Sequence, residues 1–107
     1  MRLSDFASIL SQLELPLTYK AFDVGNVPSM PYLIYFESNP IIQSADNYSN
    51  YQIKNVIVEL AFEQKDEALE EKLEELLNNN KLFFEVNEEQ FIETERLFVK
   101  SYSVYLY

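Results

Sequence analysis

The fold class this sequence predicts is α+β: a mostly antiparallel β-sheet with two helices packed on it. Three observations predict it. Two segments place apolar residues at helical spacing, several others carry the period-2 or aromatic-rich pattern of strands, and most connections between strand segments are of hairpin length. A sheet layer carrying helices is the natural way to bury both kinds of surface. The 107 residues suit a single domain, 1–107, able to bury a core of its own, and no repeat or low-complexity linker divides them.

The elements follow in order. Leu3, Phe6, Ile9, Leu10 and Leu13 share one helical stripe, with Ser4 as the expected N-cap and Asp5 in the first turn, where the helix dipole favours an anion. Pro16 ends that helix. Leu17 to Phe22 alternates as a first strand, and Asp23-Val24-Gly25-Asn26, with the only glycine, marks a turn. Tyr32 to Glu37 is a strand apolar on both faces, which predicts that both faces are covered. Ile41 to Ala45 is expected to pair back as a hairpin arm, Asp46 to Asn50 to turn, and Tyr51 to Phe62 to form the longest strand.

Asp66 caps a second helix whose leucines at 69, 73, 76 and 77 form one stripe, with Glu67, Glu70, Glu71, Glu74 and Glu75 expected on a solvated face. Asn78-Asn79-Asn80 is expected to stop it. Leu82 to Val86 and Phe91 to Glu93 are expected as short strands around a turn at Asn87-Glu88-Glu89, and Arg96 to Tyr107 as a long last strand.

Composition narrows the function classes. The chain has 18 acidic and 8 basic residues, a net charge of −10, and is expected to be repelled by nucleic-acid phosphates and anionic membrane surfaces. No apolar run is long enough to span a bilayer. Arg2 and Asp5 are not followed by a continuous apolar region, so no secretory signal is expected at the start. Cysteine and histidine are absent, which removes thiolate chemistry, disulfides and the commonest general base and metal ligand.

Candidate reactive patterns resolve into structural ones. A calcium loop starting at Asp46 would need Gly at its sixth position and Glu at its twelfth, and the chain has Tyr51 and Ile57 there. The serines lack any histidine to activate them, and one glycine makes no phosphate-cradling loop. No catalytic, cofactor-binding or metal-binding residue is therefore assigned, and no cofactor is expected.

What remains is a surplus of aromatics, with eight Phe and eight Tyr. A tyrosine-rich core accounts for part of it. The rest fits a protein–protein surface, where Tyr and Phe are enriched. The candidate interface residues are Tyr32, Tyr35, Tyr48, Tyr51, Tyr102, Tyr105 and Tyr107.

Several stretches in succession resemble small proteins encoded among the structural genes of siphophages and prophages of Gram-positive bacteria. They are Pro31-Tyr32-Leu33-Ile34-Tyr35-Phe36, Ser44-Ala45-Asp46-Asn47, Asn55-Val56-Ile57-Val58-Glu59-Leu60, Lys65-Asp66 through Leu73-Glu74, and Phe91 through Leu97 with the tyrosine-rich end. The resemblance spans about residues 12 to 107, rests on order rather than on one specific motif, and departs at Ala61-Phe62-Glu63-Gln64. It is to head–tail connector components of the tail terminator, or tail-completion, type.

That resemblance implies a non-enzymatic virion protein, made in the host cytoplasm and located at the head–tail junction. It would form a ring, commonly a hexamer, on the tail tube, with the tail-tube protein and head connector proteins as partners and no sequence-specific nucleic-acid contact. The acidic composition leaves two other classes open: an acidic protein-binding inhibitor or DNA mimic, and a small enzyme relying on carboxylates alone.

Overall fold

A computed structural model of the chain describes residues 1–39, 41–45 and 49–106, of which 41–45 and 49–52 are described by backbone alone. The elements run α1 (Leu3–Leu10) with a 3-10 turn over Ser11–Leu13, β1 (Leu17–Tyr19), β2 (Tyr32–Glu37), β3 (Ile41–Ala45), β4 (Ser49–Phe62), α2 (Glu67–Asn79), β5 (Phe83–Ile92) and β6 (Leu97–Leu106). The sheet order is β1-β2-β4-β6-β5, with β3 paired to β4 off this path. The α+β class holds, and the sheet is antiparallel except at one pair, β1 with β2. Parallel neighbours need a crossover of roughly a dozen residues. Residues 20–31 are that crossover, and Asp23–Asn26 turns inside it, with Gly25 in the left-handed region at φ 82°.

Both helices serve one face of the sheet. Phe6 and Leu10 of α1 and Leu73 and Leu77 of α2 are fully buried against Leu33, Val56, Val58, Leu60, Tyr102, Val104 and Leu106. The strand residues in that set share one parity in register: Leu33 opposes Leu60, and Val56 and Val58 oppose Val104 and Tyr102. The opposite face has a smaller cluster at one end only, where Phe22 and Met30 of the crossover pack on Tyr32, Ala61 and Leu97. Of the two apolar faces of β2, therefore, one lies under the helices and the other is covered only in part.

The helix ends differ in detail from what the sequence suggests. α1 begins before Ser4: Arg2 is the N-cap residue, and the Asp5 carboxylate accepts the Arg2 backbone N–H at 3.0 Å. Asp66 caps α2 as expected, accepting from Leu69 N–H at 3.1 Å. The far end of α2 is a Schellman closure rather than a simple asparagine stop. Lys81 takes the left-handed conformation usually given to glycine, Lys81 N–H donates to Asn78 and Leu82 N–H to Leu77, and the Leu82 side chain is buried.

Two strand assignments change. β5 is one ten-residue strand, not two around a turn. Asn87 and Glu88 form a bulge between Val86 and Glu89, so pairing with β6 continues past them. Likewise β2 and β3 are successive halves of one hairpin arm along β4, with a one-residue slip in register between the pairs Glu37–Val56 and Ile41–Ile53. Among the described residues Ser49–Ile53 pair with β3 alone, so the far part of this hairpin is a two-stranded ribbon beyond the sheet. At about 3.3 Å per residue β4 spans roughly 46 Å, close to the molecule's longest extent of 49 Å.

Candidate assembly surface

Among the described residues two parts of the sheet present apolar surface with partial cover or none: the face opposite the helices, which the crossover covers at one end, and the outer edge of β5. The uncovered face is built in rungs. Tyr32, Ala61, Val99 and Gln90 form one, and Ile34, Glu59 and Ser101 the next. Phe36, Ile57, Ser103 and Glu85 form a third, and Asn55, Tyr105 and Phe83 a fourth. Away from the crossover most of these residues are only half-buried. Lys20 stands 4.3 Å over the Phe36 ring, a cation–π contact at the β1 side.

The first two rungs enclose a cleft of about 140 Å³. Ile34, Ala61, Leu97 and Val99 form its apolar floor, and Glu59, Glu95, Gln90 and Tyr32 stand around it. Burial pushes the Glu59 carboxyl above its ordinary range, and Lys20 offsets this only in part. Burial also pushes the Tyr32 phenol up, with Glu95 and Glu59 adding to the effect.

The β5 edge is the second region. The strand order ends at β5, so its outer side has no partner strand among the described residues. Phe83, Val86 and Phe91 are 57%, 50% and 47% exposed there, on both faces of the strand. Phe83 leans on Tyr105 at 5.5 Å between centroids and Phe91 on Phe98 at 4.9 Å.

The helix-bearing face holds a polar cluster of a different kind. Glu70 of α2 is 3% exposed and meets Lys65 and Lys100. Lys65 also reaches Glu89 at 2.8 Å, and Tyr102 hydroxyl donates to Glu74 at 2.9 Å. Burial alone would raise the Glu70 carboxyl, but hydrogen bonds from Lys100 and Lys65 outweigh it and hold the group below its ordinary range. The Lys65 ammonium is raised by its hydrogen bonds to Glu70 and Glu89, and the Tyr102 phenol is pushed far up by burial and by Glu74. Glu70 was expected on the solvated helix face. It is buried because Lys100, on the core-facing parity of β6, rises to meet it.

The predicted interface tyrosines separate. Tyr102 is fully buried in the main core, so it offers nothing to a partner, and its place in the candidate interface is corrected. Tyr35 is half-buried on the helix side, edge-on to Phe6 and Tyr19. Tyr32 lies on the uncovered face but is only 8% exposed, edge-on to Phe22 of the crossover. Tyr105 is half-buried on the same face and donates to Glu85 at 2.9 Å. Tyr51 takes its place in β4 opposite Gln43, while its side chain, and Tyr48 and Tyr107 altogether, lie outside the described residues.

The residues missed at the sequence level are Phe83, Val86, Phe91 and Glu59. Each had a signal. The run from Phe83 to Ile92 carries apolar residues at both parities between acids, more than a strand with one buried face needs. Glu59 is the one acid within the apolar run Val56–Phe62. Among the described residues no group of three or more Asp or Glu stands together to hold a metal, and no helix is long and apolar enough to cross a membrane. No protein-family model matches the chain, and no curated protein matches it.

Proposed function

We propose that the chain is a non-enzymatic assembly subunit of the head–tail joining kind its sequence resembles, a protomer that closes into a ring at the end of a phage tail tube. The observation that carries this reading is the β5 edge. Ten residues of strand end the sheet without a partner strand among the described residues, and Phe83, Val86 and Phe91 are about half exposed along it. Exposed aromatics along an unpaired edge invite association, and because the bulge at Asn87-Glu88 and the acids Glu85, Glu88 and Glu89 blunt the middle of β5, the contact falls to the aromatics near its two ends.

Two other features support it. Ring closure needs two different surfaces meeting head to tail, and the far edge, the short β1 with Tyr19 46% exposed, differs from β5 in length and chemistry. The β3–β4 ribbon beyond the sheet is also of a kind that gains stability by packing on something else. A DNA mimic draws less support, because Glu70, Glu74 and Glu89 are tied to lysines instead of being displayed.

Light scattering on purified chain at rising concentration and salt, with electron microscopy of tails lacking their end ring, tests the proposal. Salt should favour the ring by screening acidic self-repulsion. The wild type should form a defined oligomer or cap the tails. The double variant Phe83→Asp, Phe91→Lys should keep its unfolding midpoint and lose both behaviours. A wild type that remains monomeric at high concentration and salt and leaves tails uncapped would sink the proposal.

A further inference from the structure

The cleft on the uncovered face has a chemistry that the ring reading does not use. We propose that it receives a lysine or arginine side chain from a partner protein. The proposal does not require ring closure, since it concerns what the partner carries.

Three observations converge. First, the cleft pairs an apolar floor (Ile34, Ala61, Val99) with carboxylates from two separate elements, Glu59 of β4 and Glu95 of the β5–β6 turn. An aliphatic stem ending in a cation has that same division of character. Second, neither carboxylate makes an ion pair or hydrogen bond among the described residues; Lys20 acts on Glu59 from a distance while seated on Phe36. Glu59 is half-buried and Glu95 exposed, so it is Glu59 that carries a desolvation cost an incoming cation relieves. Third, Tyr32 is 8% exposed, lines the cleft, and its hydroxyl has no hydrogen-bond partner among the described residues. The hydroxyl oxygen is itself reachable from the cleft, and it can accept from an ammonium or guanidinium lying between the two acids.

Size and charge select the occupant. At about 140 Å³ the cleft is smaller than the roughly 300–1,000 Å³ of small-molecule sites, and suits one side chain. A hard divalent cation wants about six to eight oxygen ligands, which the apolar floor does not provide. A net charge of −10 draws the side chain of a basic partner into this acidic cleft more strongly than that of another acidic copy.

The test follows backbone amide resonances of the full chain during titration with acetyl-Gly-Arg-Gly-amide and acetyl-Gly-Lys-Gly-amide, to the order of 10 mM, the range of weak single-residue binding. Citrulline and norleucine peptides serve as neutral controls, with calcium chloride and dilution of the protein as further arms. The basic peptides should shift Ile34, Glu59 and Val99 saturably while the neutral ones do not. Glu59→Gln with Glu95→Gln should weaken this by about tenfold or more, Tyr32→Phe by less, and Glu71→Gln with Glu75→Gln on α2 should leave it unchanged. The proposal falls if there are no saturable shifts at the cleft, if citrulline gives equal ones, or if the shifts centre on α2. It falls equally if calcium takes the cleft in preference to the peptides, or if only dilution moves those amides.

Discussion

Glu70 and Glu59 sit on opposite faces of one sheet and meet opposite fates. Glu70 is nearly inaccessible, yet two lysines complete it, and its carboxyl is held below its ordinary range. Glu59 is less buried, has no direct partner among the described residues, and burial raises it. Depth of burial therefore does not decide the state of a carboxylate here; the presence of a donor does. The helix-bearing face is finished within the chain. The other face stops half-way, its crossover covering one end and leaving the remaining rungs half-buried.

The largest expected effect tests whether only one face is core. Leu73→Ala, under α2 and fully buried, should cost about 2–5 kcal/mol, while Val99→Ala on the uncovered face should cost about 1 kcal/mol or less. Urea unfolding of both decides it, and equal losses would erase the distinction between the faces.

A smaller effect comes from the two carboxylates. Lys100→Met leaves Glu70 buried beside a lysine that is itself 46% exposed, and should cost about 1–3 kcal/mol. Glu59→Gln should stay within about 0.5 kcal/mol of wild type. The pH dependence has opposite signs. Glu70 is lowered from 4.5, so its stabilisation is present above that value and is lost as pH falls through the lowered one. Glu59 is raised from 4.5, so its contribution is present below that value and is lost as pH rises through the raised one. Glu70→Gln should flatten the acid limb of stability, and Glu59→Gln the limb just above it. Curves that change together in the two variants would remove the contrast.

These differences mark how far the sequence could be read. Leu69, Leu73 and Leu77 of the α2 stripe and the alternation of Val56, Val58 and Leu60 face the core as the periodicity requires, while Leu76 of the same stripe stays outside the core cluster. Period alone says which residues share a face, not what lies across from them. Glu70 reads as solvent-facing until Lys100, thirty positions on, is known to rise beside it. Tyr102 reads as an interface aromatic until its register opposite Val58 places it beneath the helices. The bulge at Asn87-Glu88 reads as a turn, because the same polar residues serve both. The parallel pairing of β1 is invisible for a similar reason: a crossover of twelve residues and a loop look alike in composition.

The ladder between β4 and β6 also shapes how the chain reaches this structure. It pairs Lys54 with Leu106 at one end and Phe62 with Phe98 at the other, with all of α2 and β5 between them in sequence. The β5–β6 and β3–β4 hairpins are local and can close on the order of microseconds. The central ladder must enclose a helix and a strand first, and that loss of chain entropy precedes any reward from contact. Truncating Val58, which opposes Tyr102, is accordingly expected to slow refolding in stopped-flow measurements more than truncating Leu17 at the β1 edge does; a faster or unchanged rate would place the slow step elsewhere. The pace of folding is then set by a single encounter, in which two hairpins formed separately meet across the helix that links them.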